Sequence, residues 1–421
     1  MKRLLIIFFS LTLIVPAKAT YLLIPMDDAQ KDHLKSYGLV YWVLEQGGNA
    51  QWLLNYRYGS FLIEYDKSYE TECNTRGVTY ETLPDAQVNT LLEMISAPDV
   101  NMDAVKLEKP PKIAVYSPPD KQPWDDAVTL VLTYAEIPYH IVYDEKVLDD
   151  SLATYDWIHL HHEDFTGQYG RFYAGFANTP WYRTQVATDE GLAAKLGYKK
   201  VSQMKLAVVK KIRDFVGGGG FMFAMCSATD SYDIALAADG IDICDRMYDG
   251  DGMDLDMNSK LNYDNCFAFQ NFKLKTNSTE YEFSDIDTYE TRMGKGVTES
   301  NDYFSLFEFS AKWDPVPTML CQDHANLIKG FWGQTTGFDE ALIKPGVLIM
   351  GENKAINEAR YIHGDYGKGM WTFYGGHDPE DYQHRVDEPP TDLSLYPNSA
   401  GYRLILNNVL FPAAKKKHQK T

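Results

Sequence analysis

A cysteine at the junction of an apolar strand and a helix is the residue in this 421-residue chain best placed to do chemistry. Cys226 ends the run Phe221-Met222-Phe223-Ala224-Met225, which follows Gly217 to Gly220, and it precedes a helical segment, Ser231 to Ala238. A sharp strand-to-helix turn lifts a side chain clear of its sheet. The N–H groups at the start of the next helix favour a thiolate and hold an oxyanion. A thiol nucleophile also needs a base, and the base needs a carboxylate to orient it. The segment Gly375-Gly376-His377-Asp378-Pro379-Glu380 supplies both: His377 as base, with Glu380 or Asp378 orienting it. In this reading the Ser227 N–H lies in the oxyanion hole, and His161, His162 and Glu163 contact the substrate.

Those last three residues belong to His159-Leu160-His161-His162-Glu163-Asp164, which also invites a metal reading. On a strand His159 and His161 share a face and His162 takes the other. His161, Glu163 and His377 could converge on a zinc-like ion. No HExxH signature supports this, so the expectation is a polar loop with hydrogen-bonded imidazoles, no metal and no cofactor. The acidic loop Asp249 to Asp256 fails the calcium-loop pattern, because Met247 falls on a ligand position. Gly217 to Gly220 is no phosphate loop, since no Gly-Lys-Ser/Thr follows. The five cysteines, Cys73, Cys226, Cys244, Cys266 and Cys321, are too few for a disulfide scaffold. Their odd number leaves at least one thiol free, and Cys226 is the choice for it.

The elements that must position these groups alternate between strand and helix. An N-terminal part reads as strand 21–25, helix 29–46, a strand pair within 51–65, helix 69–76, strand 78–82 and helix 85–95, then a linker over 98–111. A larger part begins at Lys112. Strands are expected at 113–116, 139–143, 155–160, 221–225, 347–350, 359–362 and 369–374. Helices are expected at 124–137, 203–216 (capped by Gly217) and 401–410. Strands alternating with helices predict an α/β fold, a doubly wound, mostly parallel, flavodoxin-like sheet with a smaller N-terminal α/β domain. The first four strands should be mutually parallel, which puts His161 and Cys226 at one sheet edge, where such folds bind ligands. An aromatic insertion over 167–183 offers Tyr169, Phe172, Tyr173, Phe176, Trp181 and Tyr182 as core or as stacking platforms.

The chain opens as a signal peptide does. Lys2 and Arg3 precede an apolar stretch, Leu4 to Val15, and Ala17-Lys18-Ala19 forms a cleavage site before Thr20. The apolar stretch is short of the ~20 residues a membrane span needs. Without residues 1–19, 59 acidic face 37 basic residues, a net charge of −22. That balance disfavours nucleic acid and anionic lipid as partners. The expected organisation is signal peptide 1–19, N-terminal domain 20–106, main domain 107–412 and basic tail 413–421.

The order strand, Cys226, helix, then a late strand ending in Gly375-Gly376-His377, resembles the class I glutamine amidotransferase-like superfamily. The stretch Gly367 to Asp378 is similar to the closing strand of the ThuA-like branch. The chain from Leu22 through Ser227 also resembles exported bacterial proteins labelled asparagine synthetase B. The SGGxDS motif and the N-terminal cysteine of that synthetase are absent, so this resemblance implies the amidotransferase-like fold alone. The superfamily's G-x-C-x-G turn reads Ala224-Met225-Cys226-Ser227-Ala228 here, and its H-x-E lies one residue longer, at His377 and Glu380. The resemblance implies a secreted or periplasmic Cys-His-Glu amidohydrolase acting on a small amide. The alternative is a catalytically silent periplasmic binding protein for a sugar or cell-wall fragment. Both have small-molecule ligands and no stable membrane insertion.

Overall fold

The computed structural model describes residues 20–414 apart from positions 121 and 315. The signal peptide expected at 1–19, and all but the first two residues of the tail expected at 413–421, lie outside the described residues. Among the described residues no helix is long and apolar enough to cross a membrane.

The architecture is mixed α/β, with one small antiparallel sheet and one large mixed sheet. The small sheet contains β1 (Tyr21–Ile24), β2 (Ala50–Leu54), β3 (Ser60–Glu64), β4 (Glu81–Leu83) and β5 (Asp103–Leu107), in the order β4-β1-β3-β2-β5. β5 fills part of the expected linker. Val105 and Leu107 alternate with polar neighbours and turn inward, so five residues suffice for an edge strand on β2. Helix His33–Glu45 starts at Asp32, whose carboxylate accepts the Lys35 N–H at 2.8 Å. Its Leu34, Tyr37, Val40 and Leu44 are buried in the same core as Leu404, Ile405 and Leu406 of helix Ala400–Leu410. The Tyr37 hydroxyl donates to Asn407 Oδ1 at 2.5 Å and accepts from Arg403 Nε at 2.9 Å. The small sheet therefore shares its core with the main body.

The large sheet is built from β6 (Ile113–Tyr116), β7 (His140–Val142), β8 (Trp157–Leu160), β9 (Phe221–Met225), β10 (Tyr303–Leu306), β11 (Leu327–Lys329), β12 (Phe338–Asp339), β13 (Leu348–Asn353), β14 (Glu358–Tyr366) and β15 (Gly369–Tyr374). Its order is β11-β10-β13-β14-β15-β9-β8-β6-β7, with β12 on β14. From β15 to β7 every pairing is parallel, as expected for 113–116, 139–143, 155–160 and 221–225. Beyond β15 the sheet turns antiparallel, because Gly367 and Lys368 close β14 and β15 into a hairpin too short for a parallel crossover. Helix Val201–Gly218 buries Met204, Val208, Val209, Ile212 and Val216, and runs past the expected cap. The cap is Gly219, whose φ of 123° suits a residue without Cβ.

Candidate active site

β8 and β9 are adjacent and parallel, so His161 and Cys226 leave the sheet at the same edge. Cys226 sits directly between β9 and helix Ser227–Ala237 with φ 52° and ψ −140°. A non-glycine residue held there is strained, by on the order of 1–3 kcal/mol, and the surroundings must enforce it. They do so with hydrogen bonds on both sides of the turn. The Cys226 carbonyl accepts from Thr229 N–H at 3.1 Å and from Thr229 Oγ1 at 2.6 Å, and Ala228 N–H donates to the His161 carbonyl at 2.8 Å. The helix start leaves the Ser227 N–H without an intrahelical acceptor, and no side chain caps it. The Gln334 N–H donates to Cys226 Sγ at 3.2 Å. Gln334 is itself pinned by its Nε2, which donates to the carbonyls of Gly170 (2.7 Å) and Tyr281 (3.0 Å).

The paired glycines before His377 have a steric cause. A Cβ on Gly375 would lie 2.4 Å from the Thr336 carbonyl oxygen, and one on Gly376 2.5 Å from the Phe331 ring. The 332–336 loop thus lies flat on the end of β15, with Gly376 N–H donating to Thr335 O and His377 N–H to Trp332 O, both at 2.8 Å. This docking brings the Gln334 N–H to the thiol and the His377 imidazole to the same place.

His377 interacts with Cys226 and stands 3.6 Å from Asp125 Oδ1. Burial alone would depress its pKa, but the Asp125 carboxylate and the Cys226 thiol outweigh it and push it up to about 10. Burial likewise opposes ionisation of Asp125, yet His377 and His384 hold its carboxyl below the usual range. The carboxylate facing His377 is therefore Asp125, and neither Glu380 nor Asp378 takes that position. Asp378 instead accepts from Glu380 N–H at 2.8 Å and Thr391 Oγ1 at 2.7 Å, and interacts with Tyr402 of helix Ala400–Leu410. Glu380 reaches Ser399. His384, absent from the sequence reading, stacks on His377 with ring centres 4.9 Å apart, between Asp381 (2.8 Å) and Asp125 (3.1 Å).

β8 ends at Leu160, so strand alternation no longer governs His162. His162 joins His161 on the site side instead of facing away. Ring centres lie 5.0 Å apart for His161 and His162, 4.6 Å for His161 and His377, and 5.9 Å for His162 and His377. Burial lowers the pKa of His161 to about 4. Glu163 is buried with its Oε1 3.9 Å from His162 Nε2, and burial raises its carboxyl to about 8. Asp126 stands 3.3 Å from His159 Nε2 and 3.4 Å from His161 Nδ1.

Asp125 and Asp126 escaped the sequence reading because an acid before an apolar helix looks like a cap. Asp126 is one, accepting the Thr129 N–H at 2.9 Å at the start of helix Ala127–Tyr134. The available signal was position: both residues follow the carboxyl end of β6, beside the edge that holds Cys226. Gln334 acts through its backbone, and no sequence signal marks that.

Cys226, His162, His377 and His384 line a cavity of about 520 Å³ walled by Trp124, Phe172, Phe176, Tyr281, Tyr289 and Trp332, with Arg385 exposed at its rim. The aromatic insertion divides its labour. Tyr169 and Tyr182 are core, while Phe172 and Phe176 face the cavity. A second cavity, about 580 Å³, opens at the opposite edge near Asp156 and Gly220 and offers no cysteine or histidine.

No family model matches the chain, and no curated protein matches it. Among solved structures it is similar to Cytoplasmic Protein STM3548 from Salmonella typhimurium, at 11% identity over 72% of this chain and 100% of that one, with a TM-score of 0.36. Cytoplasmic Protein STM1381 from Salmonella typhimurium LT2 gives 11% identity, the same coverages and a TM-score of 0.37. Gan42B, a GH42 beta-galactosidase, is matched at 10% identity over 64% of this chain and 28% of its own, with a TM-score of 0.28.

Proposed function

We propose that the protein is an exported thiol-dependent hydrolase of small amides or esters, with Cys226 as nucleophile and His377 and Asp125 as its base and orienting carboxylate. The observation that carries this is the strained backbone of Cys226 at a strand-to-helix turn beside His377. The fold reading agrees: numbered from β6, the parallel strands run 2-1-3-4-5, the flavodoxin-like order shared by the glutamine amidotransferase-like superfamily.

Cys226 passes its proton to His377, and Sγ attacks the substrate carbonyl carbon. The Ser227 N–H meets the developing oxyanion. His377 returns the proton to the leaving nitrogen or oxygen as the tetrahedral centre collapses to a thioester. Water, deprotonated by the same imidazole, then releases the acid and frees the thiol. Asp125 holds the imidazole and balances its charge. The aromatic walls admit a flat or apolar-faced substrate, which also suits the silent binding alternative.

Alkylation separates the two. All five thiols are buried, but burial pushes Cys73 up to about 12 and raises Cys244, Cys266 and Cys321 as well. Iodoacetamide at neutral pH should modify Cys226 alone, as read by peptide mass spectrometry. A panel of activated esters and anilides should be turned over by the wild type and not by Cys226→Ala. An unmodified Cys226 and no turnover would leave the binding protein.

A further inference from the structure

We infer that His161, His162 and His377 form a binding site for one divalent transition-metal ion of the zinc type, with its open position toward the aromatic cavity. One ligating atom from each residue lies within 4.8 Å of the others. Zinc–nitrogen bonds of 2.0–2.1 Å at tetrahedral angles need a spacing of about 3.3 Å, so small ring rotations close the site.

The second observation is the unpaid hydrogen bonding of these rings. His161 is 1% exposed, and neither of its nitrogens completes a hydrogen bond among the described residues. The same holds for both nitrogens of His162 and for His377 Nε2. A buried polar atom without a partner costs about 1–3 kcal/mol, so several in one spot call for an absent partner. Three adjacent imidazoles, each able to offer one ring-nitrogen lone pair, match a borderline divalent cation. The surroundings match a metal centre in a further respect. Asp126 stands behind His161 Nδ1 at 3.4 Å, as carboxylates stand behind ligating histidines, and His161 Nε2 is left for the ion. The neighbouring group Asp125, His377 and His384 is the weaker candidate, because His384 already has a carboxylate at each nitrogen.

The assignment does not depend on Cys226 being a nucleophile. An ion on His377 takes a ring that the thiol reading also uses, so metal-loaded and thiol-active proteins are alternative states of one site.

The test uses the full chain, freed of metal by a chelator, titrated with Zn²⁺ by calorimetry and with Co²⁺ by visible absorption. One ion per chain should bind, and Co²⁺ should show the intense bands of a four-coordinate site. His161→Gln and His162→Gln should each weaken binding by at least ~10-fold, and Asp126→Asn by roughly 10–100-fold. Thermal melts of the metal-free variants check that each is folded. Cys226→Ser should bind as wild type, whatever alkylation shows for the thiol. Unchanged binding in both histidine variants would overturn the assignment. So would absence of binding in the wild type, or loss confined to Cys226→Ser or His384→Gln.

Discussion

Two buried polar clusters flank β8, and they are built on opposite terms. Around Lys205 every group has a partner. Its Nζ donates to Asp144 Oδ2 at 2.8 Å, Tyr143 hydroxyl at 2.9 Å and Tyr116 hydroxyl at 3.2 Å. The Tyr143 hydroxyl donates to Asp189 at 2.7 Å, and the Tyr116 hydroxyl donates to Asp144. Around His161 only His384 Nδ1 has a close carboxylate, Asp381 at 2.8 Å; the other imidazole–carboxylate distances are 3.1–3.9 Å, and both nitrogens of His161 and of His162 complete no hydrogen bond. A fully satisfied buried network holds one structure in place; an unsatisfied one is stabilised only by what binds it. The first cluster serves folding; on the readings proposed above, the second serves function.

The sharpest way to break this contrast is Lys205→Met. It leaves Asp144 and Asp189 buried without their cation, which costs about 3–5 kcal/mol. Chemical denaturation should show that loss in full, with no compensating gain on adding metal. A cost below 1 kcal/mol would mean the Lys205 cluster is not the folding element described.

Asp125→Asn should do the reverse. Its carboxylate faces His384 Nε2 at 3.1 Å and His377 Nε2 at 3.6 Å without a completed hydrogen bond, so stability should fall by about 1–3 kcal/mol, less than at Lys205. Turnover of whichever ester or anilide the wild type accepts should fall by roughly 10²–10⁴-fold in kcat/KM. Equal turnover in Asp125→Asn and wild type would remove Asp125 from the orienting role, and Glu380→Gln serves as the comparison.

The fold was legible in the sequence where local pattern and tertiary role coincide. β6, β8 and β9 are short apolar runs after polar or glycine breaks, and their parallel pairing follows from intervening helices. The β5 edge was hidden because three of its five residues are only half-buried or exposed. The antiparallel extension was hidden because β10 to β13 are joined by long irregular segments. At the site, Cys226 and His377 stood out by residue type at strand ends. Asp125 and His384 did not, since an acid near a cap and a histidine in a polar loop carry no spacing signal. Their role arises only when the loops after β6 and β15 fold against each other, through contacts such as Asp387 N–H to Pro123 O at 2.8 Å.

A buried imidazole outside both clusters gives a control on pH. His363 on β14 shares a 3.0 Å hydrogen bond with Thr372 Oγ1 on β15. Burial, opposed weakly by a hydrogen bond at Trp371, lowers its pKa to about 4 from 6.5. The unfolded chain then binds a proton that the folded chain refuses. His363 therefore costs no stability above pH 6.5 and draws stability down as pH falls from 6.5 toward 4, by up to ~3 kcal/mol. Denaturation midpoints of His363→Gln should fall less steeply than wild type across that window. Parallel slopes would place the acid sensitivity elsewhere.

The smallest effect expected, and the one that separates the clusters most cleanly, is His161→Gln in the metal-free protein. The ring is as buried as Lys205, so burial alone would make the two substitutions comparably costly. The partners differ. Lys205 leaves charged groups behind when it is removed, while His161 makes no completed hydrogen bond and leaves none broken. Glutamine keeps most of the volume, so no cavity term arises of the size seen when a large side chain is truncated. The metal-free variant should therefore unfold within about 1 kcal/mol of wild type. With saturating Zn²⁺ the two should diverge, because an ion bound only to the folded state adds stability in proportion to the logarithm of its concentration over Kd. A large loss without metal would show that His161 packs the edge of β8 and is not waiting for a ligand.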